Sequence, residues 1–148
     1  MQARLIIWMI DDDEDEHILV RLAFAKAACE TELHCFASAT QAMEALQSAA
    51  SQQLPHLILC DVKMPGVDGF EFLIWLRHSK WQAMPIALFS NSNIQTDIDR
   101  AYALGANAFH VKSSTQGQLC KCVDVIAQFW GGVVRPPSLG TKRPPLAH

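Results

Sequence analysis

The stretch LILCDVKMPGVDGF, residues 57–70, runs from four apolar residues through an acid and a turn into the start of an amphipathic segment. Leu57 to Cys60 is short and uninterrupted, as in a parallel strand buried on both faces, so Asp61 should emerge at a strand carboxyl end. Met64-Pro65-Gly66-Val67-Asp68-Gly69 comes next as a turn cluster, because Pro fixes one dihedral and Gly permits left-handed ones. Phe70 to about Arg77 then reads as a helix that buries some of Phe70, Phe72, Leu73 and Leu76. Toward the amino terminus, Leu5 to Ile10 is a second apolar run and ends in the doublet Asp11 and Asp12. Open α/β sheets place their ligand sites at such strand ends.

Two more runs obey the same rule. Pro85 to Phe89 ends in Ser90, and Ala108 to Val111 ends in Lys112. Three carboxylates at one sheet edge repel one another unless a cation joins them, and all-oxygen ligation suits Mg²⁺, with Mn²⁺ as the alternative. Acid pair, acid, hydroxyl and ammonium together point to Mg²⁺-dependent phosphoryl chemistry on a carboxylate nucleophile. In that reading Asp61 takes the phosphoryl group, Asp12 holds the metal, and Ser90 and Lys112 bind the phosphoryl oxygens.

Short apolar runs alternate with longer amphipathic segments to give five βα units. Helices are expected from Asp13 or Glu14 to about Cys29, from Thr40 to about Ala50, from Thr96 to Leu104 with an αL cap at Gly105, and from Thr115 to Trp130. A short strand, Leu33 to Phe36, separates the first two. The 148 residues make room for one domain, half of them apolar, which is enough for a core on both sheet faces. From Gly131 the composition shifts to four prolines with Lys142 and Arg143, so 1–130 is expected to be the domain and 131–148 a flexible, Pro-rich basic tail.

Net charge is −3 with no basic block in the body, which argues against DNA binding. No apolar stretch approaches the roughly 20 residues of a membrane span, and no signal-peptide pattern opens the chain, so a cytoplasmic location is expected. Five cysteines, Cys29, Cys35, Cys60, Cys120 and Cys122, lack disulfide-framework or zinc spacing and read as small buried or half-buried side chains. His17, His34, His56, His78 and His110 show no ligand spacing and receive no role.

IIWMIDDD from Ile6, LILCDVKMPGVDGF from Leu57, PIALFSNS from Pro85 and NAFHVKSS from Asn107 together resemble the receiver domain of bacterial two-component response regulators, the single-domain chemotaxis type. The resemblance spans roughly Leu5 to Trp130. It implies a flavodoxin-like sheet of five parallel strands in order 2-1-3-4-5 with helices on both faces, an order long known for this family. It further implies that Asp61 accepts a phosphoryl group from a histidine kinase or histidine phosphotransfer protein, with no enzymatic activity beyond self-catalysed phosphorylation and dephosphorylation. Asp12 would ligate Mg²⁺ directly, Asp11 largely through water, and the backbone carbonyl of Lys63 would complete the protein ligands. Ser90 takes the Ser/Thr switch position and Phe109 the aromatic one, so that the output is a changed protein-binding face on helix 4, strand 5 and helix 5. That face is also a candidate homodimer interface. Similar receivers whose last helix ends in Phe-Trp include partners of phytochrome-type kinases, which makes such a kinase a candidate partner.

The chain departs from the family at two places and varies at a third. Ser113 stands where proline usually follows the lysine, and a non-proline cis bond costs about 2.5–4 kcal/mol, so a trans, differently placed loop is expected. Phe109 replaces a frequent tyrosine, so its switch should lack a polar tether. Lys63 occupies a variable position, from which its ammonium would cap the phosphoryl group or pair with an acid. Two other functions stay open: a degenerate receiver acting as a phosphorylation-independent scaffold, and an aspartate-nucleophile phosphohydrolase, against which stands the lack of a cap insertion.

Overall fold

In a strand, alternate side chains face opposite sides of the sheet, so each strand here must satisfy two layers of helices at once. The computed structural model describes residues 4–27, 30–50, 53–91, 93–112 and 115–133. Its strands are β1 (Leu5–Ile10), β2 (Thr31–Phe36), β3 (Leu57–Asp61), β4 (Ile86–Ser90) and β5 (Ala108–Val111). All pair in parallel, in the order β2-β1-β3-β4-β5. The helices are α1 (Glu14–Ala25), α2 (Ala39–Ser48), α3 (Gly69–His78), α4 (Gln95–Ala103) and α5 (Gln116–Gln128), and a π-helical turn, Phe129–Val133, continues α5.

Trp8, Ile10, Ile58, Cys60, Ile86 and Leu88 face one layer, where they meet α2, α3 and α4 side chains such as Leu46, Phe72, Leu73 and Ala101. Leu5, Ile7, Met9, Leu57, Leu59 and Ala87 face the other, against Val20 and Phe24 of α1 and Val123 and Ile126 of α5. The tryptophans pack: Trp8 lies 4.8 Å from Phe36, and Trp75 lies 5.9 Å from both Phe72 and Trp81. Cys60 is buried, and Cys35, Cys120 and Cys122 are half-buried free thiols; Cys29 lies outside the described residues.

Side-chain caps start the helices where the sequence supplies them. Asp13 accepts from the Asp15 N–H at 2.9 Å, Ser38 from Gln41 at 3.2 Å, Asp68 from Glu71 at 2.8 Å and Thr115 from Gln118 at 3.2 Å. Glu14, Asp15 and Glu16 fill the first turn of α1, complementing the positive end of its dipole. The turn after α4 closes at Gly105, whose φ of +102° few side chains tolerate.

Several boundaries shift. α1 ends at Ala25 with its cap at Lys26, short of the expected end near Cys29, which lies outside the described residues. Asp61 and Ser90 are the last residues of β3 and β4 rather than the first beyond them. Helical backbone continues through Gly131 to Val133, while 134–148, most of the expected tail, lies outside the described residues. No helix among the described residues is long and apolar enough to cross a membrane.

Candidate functional site

The strand order makes β1 and β3 neighbours, with Ile10 opposite Cys60, so Asp11 and Asp61 leave the sheet side by side. The ladder holds each exit: the Asp11 N–H donates to Phe36 O at 3.1 Å, Val62 to Phe89 O at 3.0 Å and Lys112 to Ser90 O at 2.7 Å. Carboxylate oxygens of Asp11, Asp12 and Asp61 lie within 4.8 Å of one another. Asp11 is buried, Asp12 is exposed, and the Asp61 side chain is 11% exposed. The Lys112 ammonium enters from β5, 3.0 Å from Asp11 Oδ2 and 3.4 Å from Asp61 Oδ1.

Burial pushes the Asp61 carboxyl up to about 6; the Lys112 charge opposes the shift, and the negative charges of Asp11 and Asp12 add to it. Burial works against the charged form of Lys112 as well, but its hydrogen bond and charge interaction with Asp11, helped by Asp61 and Glu16, outweigh that and raise its pKa. Three carboxylates facing a single ammonium leave an excess of negative charge on hard oxygens, which is the chemistry of a divalent-metal site.

The β3–α3 turn is built to hold Asp61. The Gly69 N–H donates to Val62 O at 2.8 Å, and a Cβ at Gly69 would overlap the Asp61 carbonyl oxygen and approach Val62 Cα to 2.8 Å. Only glycine allows the chain to fold back this closely. Lys63, in this turn, is exposed. Ser90 is buried at 2% exposure on the side of the sheet that carries Leu88. Phe109, opposite Leu88 in the register, packs half-buried against the same core. Ser113 lies outside the described residues, but Lys112 reaches both acids.

Three contacts, two beside the site and one at the opposite edge of the sheet, are not expected from the sequence. His17 Nε2 donates to the Asp11 carbonyl oxygen at 2.7 Å, fixing the turn that carries the acid doublet. The Tyr102 hydroxyl, on α4, accepts from the Phe109 N–H at 3.2 Å, so a polar tether beside Phe109 comes from the neighbouring helix. Tyr102 is accordingly half-exposed. Arg77 donates to Gly105 O at 2.6 Å, Met84 O at 2.8 Å and Gln82 O at 3.0 Å, stapling the loops before β4 and β5. The i, i+4 position of His17 from Asp13 gives the only hint of the first; the other two join residues that no local pattern connects.

The chain matches the model of the response regulator receiver domain over residues 7–124. The probable methanogenesis regulatory protein FilR2 of Methanothrix harundinacea is 26% identical over 135 residues, covering 89% of this chain and 87% of that protein. Response regulator Rcp1 of Synechocystis is 26% identical over 137 residues, covering 90% and 93%. The structure of Rcp1 in its Mn²⁺-bound form superposes with a TM-score of 0.79 over 90% of this chain and 99% of that one, at 26% identity. The phosphorylated cyanobacterial phytochrome response regulator RcpA superposes with a TM-score of 0.82 at 27% identity, over 92% of this chain and all of that one. With fold, strand-end acids and family model in agreement, the chain belongs to the response regulator receiver domain family of two-component signal transduction.

Proposed function

We propose that this receiver is a phospho-switch: a histidine kinase or histidine phosphotransfer protein transfers a phosphoryl group to Asp61 in an Mg²⁺-dependent step, and the product presents a changed protein-binding face. The observation that carries this is the meeting of three carboxylates with one ammonium at the β1–β3 junction. Rcp1 with Mn²⁺ and phosphorylated RcpA support it by likeness.

Both Asp11 oxygens are engaged, Oδ1 by the Asp13 N–H at 2.9 Å and Oδ2 by Lys112 at 3.0 Å. Asp11 therefore suits a water-mediated role, whereas exposed Asp12, one Asp61 oxygen and the Lys63 carbonyl would hold the ion directly. A bound Mg²⁺ or Mn²⁺ supplies neutralisation of the carboxylates and of the transferring oxygens. The other Asp61 oxygen attacks phosphorus, the P–N bond of the donor phosphohistidine breaks, and the imidazole leaves with the electron pair. Lys112 then shifts its ion pair toward the phosphoryl group, and Ser90 donates its hydroxyl to a phosphoryl oxygen. Movement of Ser90 opens space on the Leu88 side for Phe109, altering the face of α4, β5 and α5. That face already exposes Ile94, Tyr102, Val111 and Phe129, at 46–58%, as a partner or homodimer surface would.

Acetyl phosphate with Mg²⁺ tests the reading. The switch gains stable label that Asp61→Asn abolishes. A scaffold gains none, and a phosphohydrolase turns over other phosphoesters; either outcome overturns the proposal.

A further inference from the structure

A cavity of about 100 Å³ lies between α1, α5 and the sheet and opens beside the acidic site. Met9 and Leu59 form its floor, Leu19 and Val20 of α1 one wall, and Leu119 and Cys122 of α5 the other. Val20 and Cys122 are short where the two helices face the sheet, which leaves volume that their neighbours do not fill. A closed apolar cavity of about 150 Å³ admits a benzene ring; at about 100 Å³ and open at its mouth, this one takes the greater part of a ring.

The mouth has a different character, with Asp11, Glu16 and Asp61 facing Lys112. That ammonium is already shared between Asp11 at 3.0 Å and Asp61 at 3.4 Å. Glu16, half-buried in the first turn of α1, makes no ion pair within 4.0 Å among the described residues. An anionic guest would meet acids that outnumber the one cation, and a neutral guest would leave Glu16 unmatched.

We propose that this cavity is a binding site for a small amphiphile with one amine or amidinium head and an apolar, ring-sized body. The head pairs with Glu16 and the body lies between α1 and α5. Glu16 is not among the residues proposed above to hold the ion or the phosphoryl group, although its charge supports that of Lys112, so the guest's head and the divalent ion use different carboxylates. An occupant would press on Leu19 and Leu119, through which α1 and α5 line the cavity.

Methyl-detected NMR titration of the full chain tests this, with and without Mg²⁺, using benzylamine, benzyl alcohol and methylammonium as probes. Benzylamine should shift the Leu19, Val20, Leu119 and Val123 methyls saturably and bind about tenfold more tightly than benzyl alcohol, the gain expected of a charge-assisted contact. Methylammonium should leave those methyls unmoved. Glu16→Gln should reduce benzylamine to the affinity of the alcohol, and Cys122→Leu should exclude both ring compounds. If Cys122→Leu does not fold, Val20→Ile takes its place. Absence of saturable shifts, the same shifts from methylammonium, an undiminished amine preference in Glu16→Gln, or ring binding that survives the filled cavity would each overturn the proposal.

Discussion

The two faces of one sheet are built differently. On the α2–α3–α4 face, Phe72, Leu73, Leu76, Ile58 and Leu88 are fully buried and aromatic rings stack upon one another. On the α1–α5 face the same strands present Met9 and Leu59 to a cavity, and they end in two acids and the approach of an ammonium. At its centre one face is a close-packed foundation, with an opening toward the β2 edge, whereas the other leaves a cavity beneath the charged strand ends. Charges can be kept at a strand end only where the backbone beneath them does not move, and the tight face provides that.

Truncation should expose the contrast most strongly. Phe72→Ala removes a fully buried ring and should cost about 3–5 kcal/mol, read from the urea midpoint. A loss below about 1 kcal/mol, small on the scale of such truncations, would mean that the α3 face relaxes and is no foundation.

The charged face should respond in the opposite sense. The Asp61 carboxyl has a folded pKa of about 6, against an ordinary value of 3.8. A raised carboxyl pKa favours the folded state while the group is protonated, so its contribution is complete below about pH 4 and is lost as pH rises through about 6. In metal-free protein at neutral pH this penalty is of the order of 3 kcal/mol. Asp61→Asn should therefore raise stability above about pH 6 by up to that amount and by nothing at about pH 3.5, and saturating Mg²⁺ should stabilise only the parent. An Asn variant less stable than the parent at mildly alkaline pH would contradict the assignment of strain to this carboxylate.

Added volume separates the two faces further. Ala42→Val, on the tight face, should cost about 1–3 kcal/mol through overpacking, whereas Val20→Ile adds its methylene into the cavity and should change stability by less than about 0.5 kcal/mol. Equal costs would mean that the two faces are packed alike. A smaller loss than that of Ala42→Val is expected of Tyr102→Phe, which removes the acceptor for the Phe109 N–H on the edge strand; it should cost about 0.5–1.5 kcal/mol and speed hydrogen exchange at Phe109. Unchanged exchange would show that the tether is not formed in solution.

The parts of this arrangement that could be read from the chain are those that repeat or sit at a fixed offset. Parallel strands need apolar residues on both faces, so Leu5–Ile10 and Leu57–Cys60 stand out, and the first polar residue after each run is necessarily the strand-end side chain. The capping acid Asp13 and the Asp68-Gly69 pair are local for the same reason. Arg77, Tyr102 and His56 act across the fold and leave no such trace. His56, for example, accepts the Ile6 N–H at 3.0 Å on Nδ1, and burial lowers its pKa, a fact that depends on a strand fifty residues away. Glu16 could be read as a helix-dipole acid, but its position at a cavity mouth requires α5 to be in place.

The proposed switch requires one oxygen of Asp61 to be left free to take phosphorus while its other oxygen and the neighbouring acids hold a divalent ion. The most direct measurement treats the protein with acetyl phosphate and Mg²⁺, traps the acyl phosphate with borohydride and locates the modified residue by peptide mass spectrometry. The expected result is reduction at Asp61 alone, lost when Mg²⁺ is chelated and in Asp12→Asn. Trapping at Asp11 or Asp12, or Asp61 modification that survives chelation, would contradict it.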